Sequence, residues 1–430
     1  MQQKQFFVRA KPGAPRARAA MAGLAMMMLM AIVLPGAAVA ATAVAADAQD
    51  DVPHWSLGGF GSVGAVHSDQ RDADFTSNIL KANGAGYSRA WSADIDSRLG
   101  VQLDGTLNKQ WSAVLQLISE QAYDGSYQPV VEWANIKYQA SPELSVRVGR
   151  IALPIFMAAD YRKAGYALPW VRVPVELYGS VPLTNSDGID ATYRWSGAGV
   201  KHVLQAFAGR TQVHVTANSL LKARRLAGLS YSVERGAFSA RGSYLRSTLS
   251  LDLAQRLFDD LSQFSPDGAA LARKYVADNQ RVRAHNLALG YDPGQWFVLG
   301  EIGRLNTRSY LGDTTAMYAS AGYRLANLTP YLSYSRIRSN GATDERGLDA
   351  PGAQAQALNQ GLNAVLKTIP VQRTLSAGLR WDFQPDLALK LQYDRVRPQC
   401  GSSGTLITVQ PGFVSGSALN LVSVALDFVF

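Results

Sequence analysis

Asp160, Arg162, Lys163, Arg172 and Glu176 stand in one Pro-rich stretch, with Arg147 shortly before it, and their setting is the first thing to explain. Bond-making chemistry finds little support in the sequence. The five histidines, His54, His67, His202, His214 and His285, show no ligand spacing, and no G-x-S-x-G, H-E-x-x-H or phosphate-binding Gly-rich loop occurs. His202 falls on an outward face without a Ser or Asp partner, so no catalytic triad, metal or cofactor is expected. Cys400, the single cysteine, lies in "RVRPQCGSSG" as an incidental loop thiol and can form no intramolecular disulfide.

The elements that must hold these charges begin after an export signal. Lys4, Arg9, Lys11, Arg16 and Arg18 precede the apolar run "AMAGLAMMMLMAIVLPG", and small residues follow at Ala38-Val39-Ala40 and Val44-Ala45-Ala46. This is the order of a cleaved secretory signal, with processing near residue 40 or 46 and residues 47–430 as one domain. The first 46 residues hold five basic and no acidic groups, so the formal charge drops from +9 to +4 without them. A nucleic-acid partner loses its basis there, since no basic stripe with interleaved aromatics replaces it.

No further apolar run is long enough to span a bilayer as a helix. Segments of alternating character fill the chain instead. In "DIDSRLGVQLDGTL", Ile95, Leu99, Val101, Leu103 and Leu107 oppose Asp94, Asp96, Arg98, Gln102 and Asp104. In "TLSAGLRWDF", Leu375, Leu379, Trp381 and Phe383 oppose Thr374, Ser376, Arg380 and Asp382, and in "LALKLQYD", Leu389, Leu391 and Tyr393 oppose Lys390, Gln392 and Asp394. A period of two means a sheet. An apolar face opposite a charged one, in an exported chain, fits an all-β transmembrane antiparallel barrel with Asp96, Arg98, Asp104, Arg380 and Lys390 on the pore wall. In "VVEWANIKYQ" either face carries a charge, Glu132 or Lys137, so its parity stays open.

Connections alternate in length. Short ones fall at 108–110, 140–143, 196–199, 235–237, 292–295, 326–330 and 384–386, with turn chemistry such as "DPGQ" and "QPD". Longer ones are read near 68–93, 122–129, 152–187, 210–225, 250–280, 306–313, 338–370 and 397–417, which leaves about sixteen strands. Two segments, "SLDLAQRLFDDLSQF" and "AQAQALNQGLNAVLKTI", have helical spacing and are read as short helices in the long loops. Trp111, Tyr193, Trp195, Tyr291, Trp296, Tyr331, Trp381, Phe383, Phe428 and Phe430 cluster near the short turns or the C-terminus, as an aromatic belt at one membrane interface would.

From "WSLGGFGSVGAV" at Trp55 to the closing "ALDFVF", the chain resembles the sixteen-stranded porins of Gram-negative outer membranes, which usually form trimers. The resemblance implies several things. A last strand ending in Phe428 and Phe430 would be read by the barrel-assembly machinery. Short turns would face the periplasm and long loops the outside, in contact with outer-membrane lipid and lipopolysaccharide. The third long loop, residues 152–187, would fold into the lumen, with Asp160, Arg162, Lys163, Arg172 and Glu176 facing a constriction, across from Arg147. The implied function is a water-filled channel for passive diffusion of small hydrophilic solutes, without enzymatic activity, and the slight excess of positive loop charges predicts a slight anion preference. A substrate-specific channel for phosphate or organic acids is the alternative, ahead of a barrel enzyme or a purely structural barrel.

Overall fold

A computed structural model describes residues 53–430, and the expected signal with its cleavage sites lies outside the described residues. Among the described residues sixteen long strands form the wall: β1 His54–Ser68, β2 Arg98–Thr106, β3 Trp111–Glu120, β4 Val130–Gln139, β5 Leu144–Ala152, β6 Asn185–Gly197, β7 Val200–Thr216 and β8 Ser219–Arg235, then β9 Phe238–Leu251, β10 Gln280–Tyr291, β11 Trp296–Asn306, β12 Thr314–Tyr323, β13 Leu328–Ser339, β14 Gln372–Gln384, β15 Leu387–Pro398 and β16 Leu419–Val429. Each pairs antiparallel with its sequence neighbour, and β1 closes the ring on β16 from Phe60↔Val429 to Ser68↔Leu421. Closure leaves no wall strand with an open edge, the condition for β-structure in a bilayer.

The inside and outside faces follow the period of two. Along β13, Leu328, Leu332 and Tyr334 are exposed on the outside, while Thr329, Ser333, Ser335 and Ile337 are buried on the lumen side. Lys390, Gln392 and Asp394 of β15 point inward and Leu391 and Tyr393 outward, as their alternation predicts. The open parity of β4 has a local cause. Its register against β3 steps from Gln116↔Trp133 to Leu117↔Val131, a bulge that skips Glu132 and flips the faces. The flip turns both buried Glu132 and half-buried Lys137 toward the lumen.

Two other expectations need correction. Residues 210–225 are not a long loop, because β7 and β8 continue as 17-residue strands to a turn at Ala217-Asn218, with bulges at Gly209/Thr211 and Arg224/Ala227. Tyr331 is no belt residue, for it is buried on the lumen side and donates to Gln392 Oε1 at 2.7 Å. The helical segments do form helices: α2 Gln255–Phe264, α3 Pro266–Tyr275 and α4 Ala353–Leu366, following the one-turn α1 Val175–Tyr178. α3 was not legible as a separate helix. It is started by Ser265, whose side chain accepts from the Gly268 amide, with Pro266 at the first helical position. Phe258, Leu261, Ala272, Leu358, Leu362 and Leu366 of these helices pack with inward Leu249, Leu251 and Val282 at the long-loop end.

Candidate pore constriction

Residues 153–184, between β5 and β6, run inside the barrel along its wall. Pro154, Pro169, Pro174 and Pro182 prevent regular structure beyond single turns, so the segment's polar groups must be satisfied by the strands it crosses. Arg172 donates from Nε and Nη2 to Asp96 at 3.0 and 2.7 Å, from Nη1 to Asp394 at 2.9 Å, and from Nη2 to Ser423 at 2.6 Å. Glu176 accepts from Ser335 at 2.6 Å, from Gln372 at 2.7 Å and from Thr374. Glu301 of β11 gathers Tyr178 Oη, Tyr318 Oη, Asn286 Nδ2 and the Met157 amide at 2.5–2.9 Å. Lys390 Nζ donates to the carbonyls of Gly165, Leu168 and Trp170 at 2.7, 2.7 and 3.0 Å and pairs with Asp427 at 2.7 Å. Arg380 donates from Nη1 to the carbonyls of Tyr166 and Leu168, and it also holds Asp382.

These contacts correct the expected roles. Arg172 and Glu176 do not face a solute path, and Asp96, Arg380 and Lys390 are not bare wall charges. They are the groups that fasten the segment. Buried charge is tolerated only when paired and hydrogen-bonded, and here every one of these is. The fit is close enough that a Cβ on Gly165 would lie 2.3 Å from Asp427 Oδ1 and 2.5 Å from Ser62 Oγ.

The charges left to line open space lie on the other side. Lys163 Nζ bridges Glu120 at 2.9 Å and Glu132 at 3.0 Å, and Arg98 Nε stands 3.9 Å from Glu120. Arg162 makes no hydrogen bond or ion pair among the described residues, although Glu132 and Glu120 act on it through space. Lys81, from the long loop after β1, donates to the Asp94 carbonyl at 3.2 Å. A cavity of about 370 Å³ on the long-loop side and one of about 230 Å³ on the short-turn side share Glu132, Arg162 and Lys163 in their walls. Asp160 is exposed in the second cavity, and Asp104 lies on the lumen side of β2, accepting from Gln102.

Burial disfavours the Lys163 ammonium, but Glu120 and Glu132 outweigh it and hold its pKa above the ordinary lysine value. Lys81 goes the other way. Burial pushes its pKa below the usual value, and the attraction of Glu120 only partly offsets this. Arg147 is absorbed by Asp190, 2.6 Å from its Nη2, and that carboxylate also accepts from Gln205.

A family model described as Gram-negative porin matches residues 36–405. The chain belongs to the Gram-negative porin family.

Family membership carries with it an outer-membrane channel. Two solved structures share the fold. The outer membrane channel DcaP of Acinetobacter baumannii is 11% identical, covers 90% of this chain and 100% of that one, and superposes with a TM-score of 0.52. OmpF of Salmonella typhi, solved in complex with daunomycin, is 13% identical over 88% of this chain and 98% of that one, with a TM-score of 0.51. No curated protein matches the sequence.

In the porin, Trp111, Tyr193, Tyr291, Trp296, Trp381 and Phe383 are exposed outside, beside the short turns. His202 joins this belt, stacked on Trp195 at 4.7 Å with Nδ1 2.8 Å from Tyr231 Oη, a packing role rather than a catalytic one. Phe428 sits in β16 opposite Gly61 and Leu387, and Phe430 is exposed at the chain end.

Sequence reasoning missed Glu120 and Lys81, whereas strand parity already places Glu301 on the inward face, where it is buried. Glu120 was recoverable, because the β2/β3 register sets Arg98↔Glu120 and Gln102↔Gln116 on the lumen face. Lys81 sits in an irregular loop, where no period marks it.

Proposed function

We propose that this porin is a passive channel for small hydrophilic solutes with a preference for anions. The observation that carries the reading is the charge at the shared wall of the two cavities. Lys81, Arg98, Arg162 and Lys163 line the larger cavity against Glu120 and Glu132. Lys163 offsets one of the two carboxylates and Arg98, 3.9 Å from Glu120, the other, so Arg162 and Lys81 leave this wall net positive. In a narrow, low-dielectric passage an uncompensated guanidinium raises the local concentration of anions and lowers that of cations. Proteoliposomes holding the mature chain test this: chloride efflux should exceed rubidium efflux, and equal or faster rubidium efflux would overturn it.

The partners follow from the outer surface. Near the long-loop ends of β8–β15, Arg224, Arg246, Arg283, Arg304, Arg336, Arg373 and Arg397 are exposed on the outside, and none has an ion pair among the described residues. Arg246↔Arg283, Arg336↔Arg373 and Arg373↔Arg397 are direct cross-strand neighbours. Like charges so placed repel, which favours an anionic partner between them. Lipopolysaccharide phosphate at the outer leaflet is that partner in this reading. The outward faces of β1–β5 carry Gly59, Gly61, Ala65, Leu115 and Val148 and no comparable belt, which suits a homotrimer contact. The reading further includes removal of the N-terminal signal, delivery through the assembly machinery by the last strand, and no enzymatic activity.

A further inference from the structure

The lumen wall of a channel for hydrophilic solutes should be polar. Along β8–β13, near the long-loop end, it is not. Leu226, Leu245, Leu249, Val282, Leu305 and Ile337 point inward and line a cavity of about 500 Å³. Its floor is the inward loop at Gly179–Leu183, and its roof comes from Asn78–Leu80 and from residues 403–409 of the loop before β16. These leucines also pack against the inward loop and the helices, so part of the apolar wall is ordinary core. The cavity is what core packing does not account for, since well-packed interiors leave few voids larger than a water molecule. Its volume falls in the range of small-molecule sites, which are mostly apolar with a few polar groups.

One observation says what such a molecule would be. The apolar cavity and the cationic one share Asn78, Leu80, Gly179, Pro182 and Leu183, and Lys81 follows Leu80 directly. A hydrocarbon body held in the first therefore has positive charge beside it.

We propose that the apolar cavity above the inward loop is a binding site for organic anions with a hydrocarbon body. The body docks among the leucines, and the charge faces Lys81 and Arg162. The proposal rests on the anion preference inferred above and names the solute class it would serve.

The test is current through the mature protein in a planar bilayer, with 1-naphthoate or acetate added on the long-loop side. Naphthoate should interrupt the chloride current at a concentration at least about tenfold below that of acetate, because it buries apolar surface that acetate lacks. Ala284→Phe, which fills the cavity from its wall, should abolish that difference and leave the reversal potential in a salt gradient unchanged. If the variant does not fold, the wild-type comparison decides alone. An anion-preferring channel in which naphthoate is no more effective than acetate overturns the cavity assignment and leaves the anion reading standing. A channel without anion preference, interrupted alike by naphthoate and neutral 1-naphthylmethanol, overturns both the anion reading and the proposal built on it.

Discussion

Arg172 of the inward loop and Asp96 of the turn before β2 form a two-point ion pair, with 96% or more of each side chain shielded from solvent. Asp394 shares the same guanidinium at 2.9 Å, so one loop cation is held between two carboxylates of the barrel. The inward loop is therefore part of the barrel's electrostatic balance.

Replacing Arg172 by Ala should cost about 3–5 kcal/mol, because it strands buried carboxylates. Thermal unfolding of the refolded barrel in detergent measures this. Loss of the anchor also frees the loop, so single-channel current should become noisier. A variant with wild-type melting and quiet current would show that Arg172 does not hold the loop.

How much of this was legible follows from what periodicity encodes. Alternation in β14 and β15 states which side of the wall Arg380 and Lys390 face, and the structure agrees. It cannot state what lies opposite them, and the carbonyls of Gly165, Leu168 and Trp170 turn both from pore lining into anchors. The porin resemblance puts Arg172 and Glu176 at the constriction because it gives the course of the third loop and not the partner of each side chain. The Glu132 bulge defeats strict parity, since one extra residue exchanges the faces of a strand. Lys81 and the apolar cavity depend on long loops folding back over the lumen, and such loops carry no repeat to read.

Lys81 gives the channel a pH dependence with a definite sign. Its folded-state pKa is lowered by burial, so the unfolded chain binds its proton more tightly. Stability contributed by this group therefore rises with pH between the lowered value and 10.5, while the lumen loses one positive charge over the same window. Anion preference in a salt gradient should weaken at a pH below the usual lysine range. Lys81→Met should already show the weakened preference at neutral pH and lose the step. A wild-type preference that stays flat to pH 10.5 contradicts this role for Lys81.

The outward arginines should behave oppositely in two environments. Changing Arg336, Arg373 and Arg397 to Ser removes cross-strand repulsion worth roughly 0.2–1 kcal/mol per pair, so the barrel in plain detergent should be unchanged or slightly more stable. With lipopolysaccharide present, the variant should lose the stabilisation that the wild type gains, and it should copurify with less phosphate. Equal phosphate in both would remove lipopolysaccharide from the account.

Deleting Phe430 should slow insertion in cells more than it slows refolding from urea into detergent, since β16 stays paired to Val429. Pulse-chase detection of folded barrel compares the two. Equal defects in cells and in detergent would assign Phe430 to stability rather than to delivery.

The most direct measurement is the reversal potential of the refolded mature porin in a planar bilayer under a potassium chloride gradient, beside Arg162→Glu. Arg162 anchors nothing among the described residues, so the variant should fold and conduct. The account predicts stable conductance steps with an anion-preferring potential for the wild type, and a potential shifted toward cations for the variant. A closed wild-type channel, or identical potentials for the two, would contradict it.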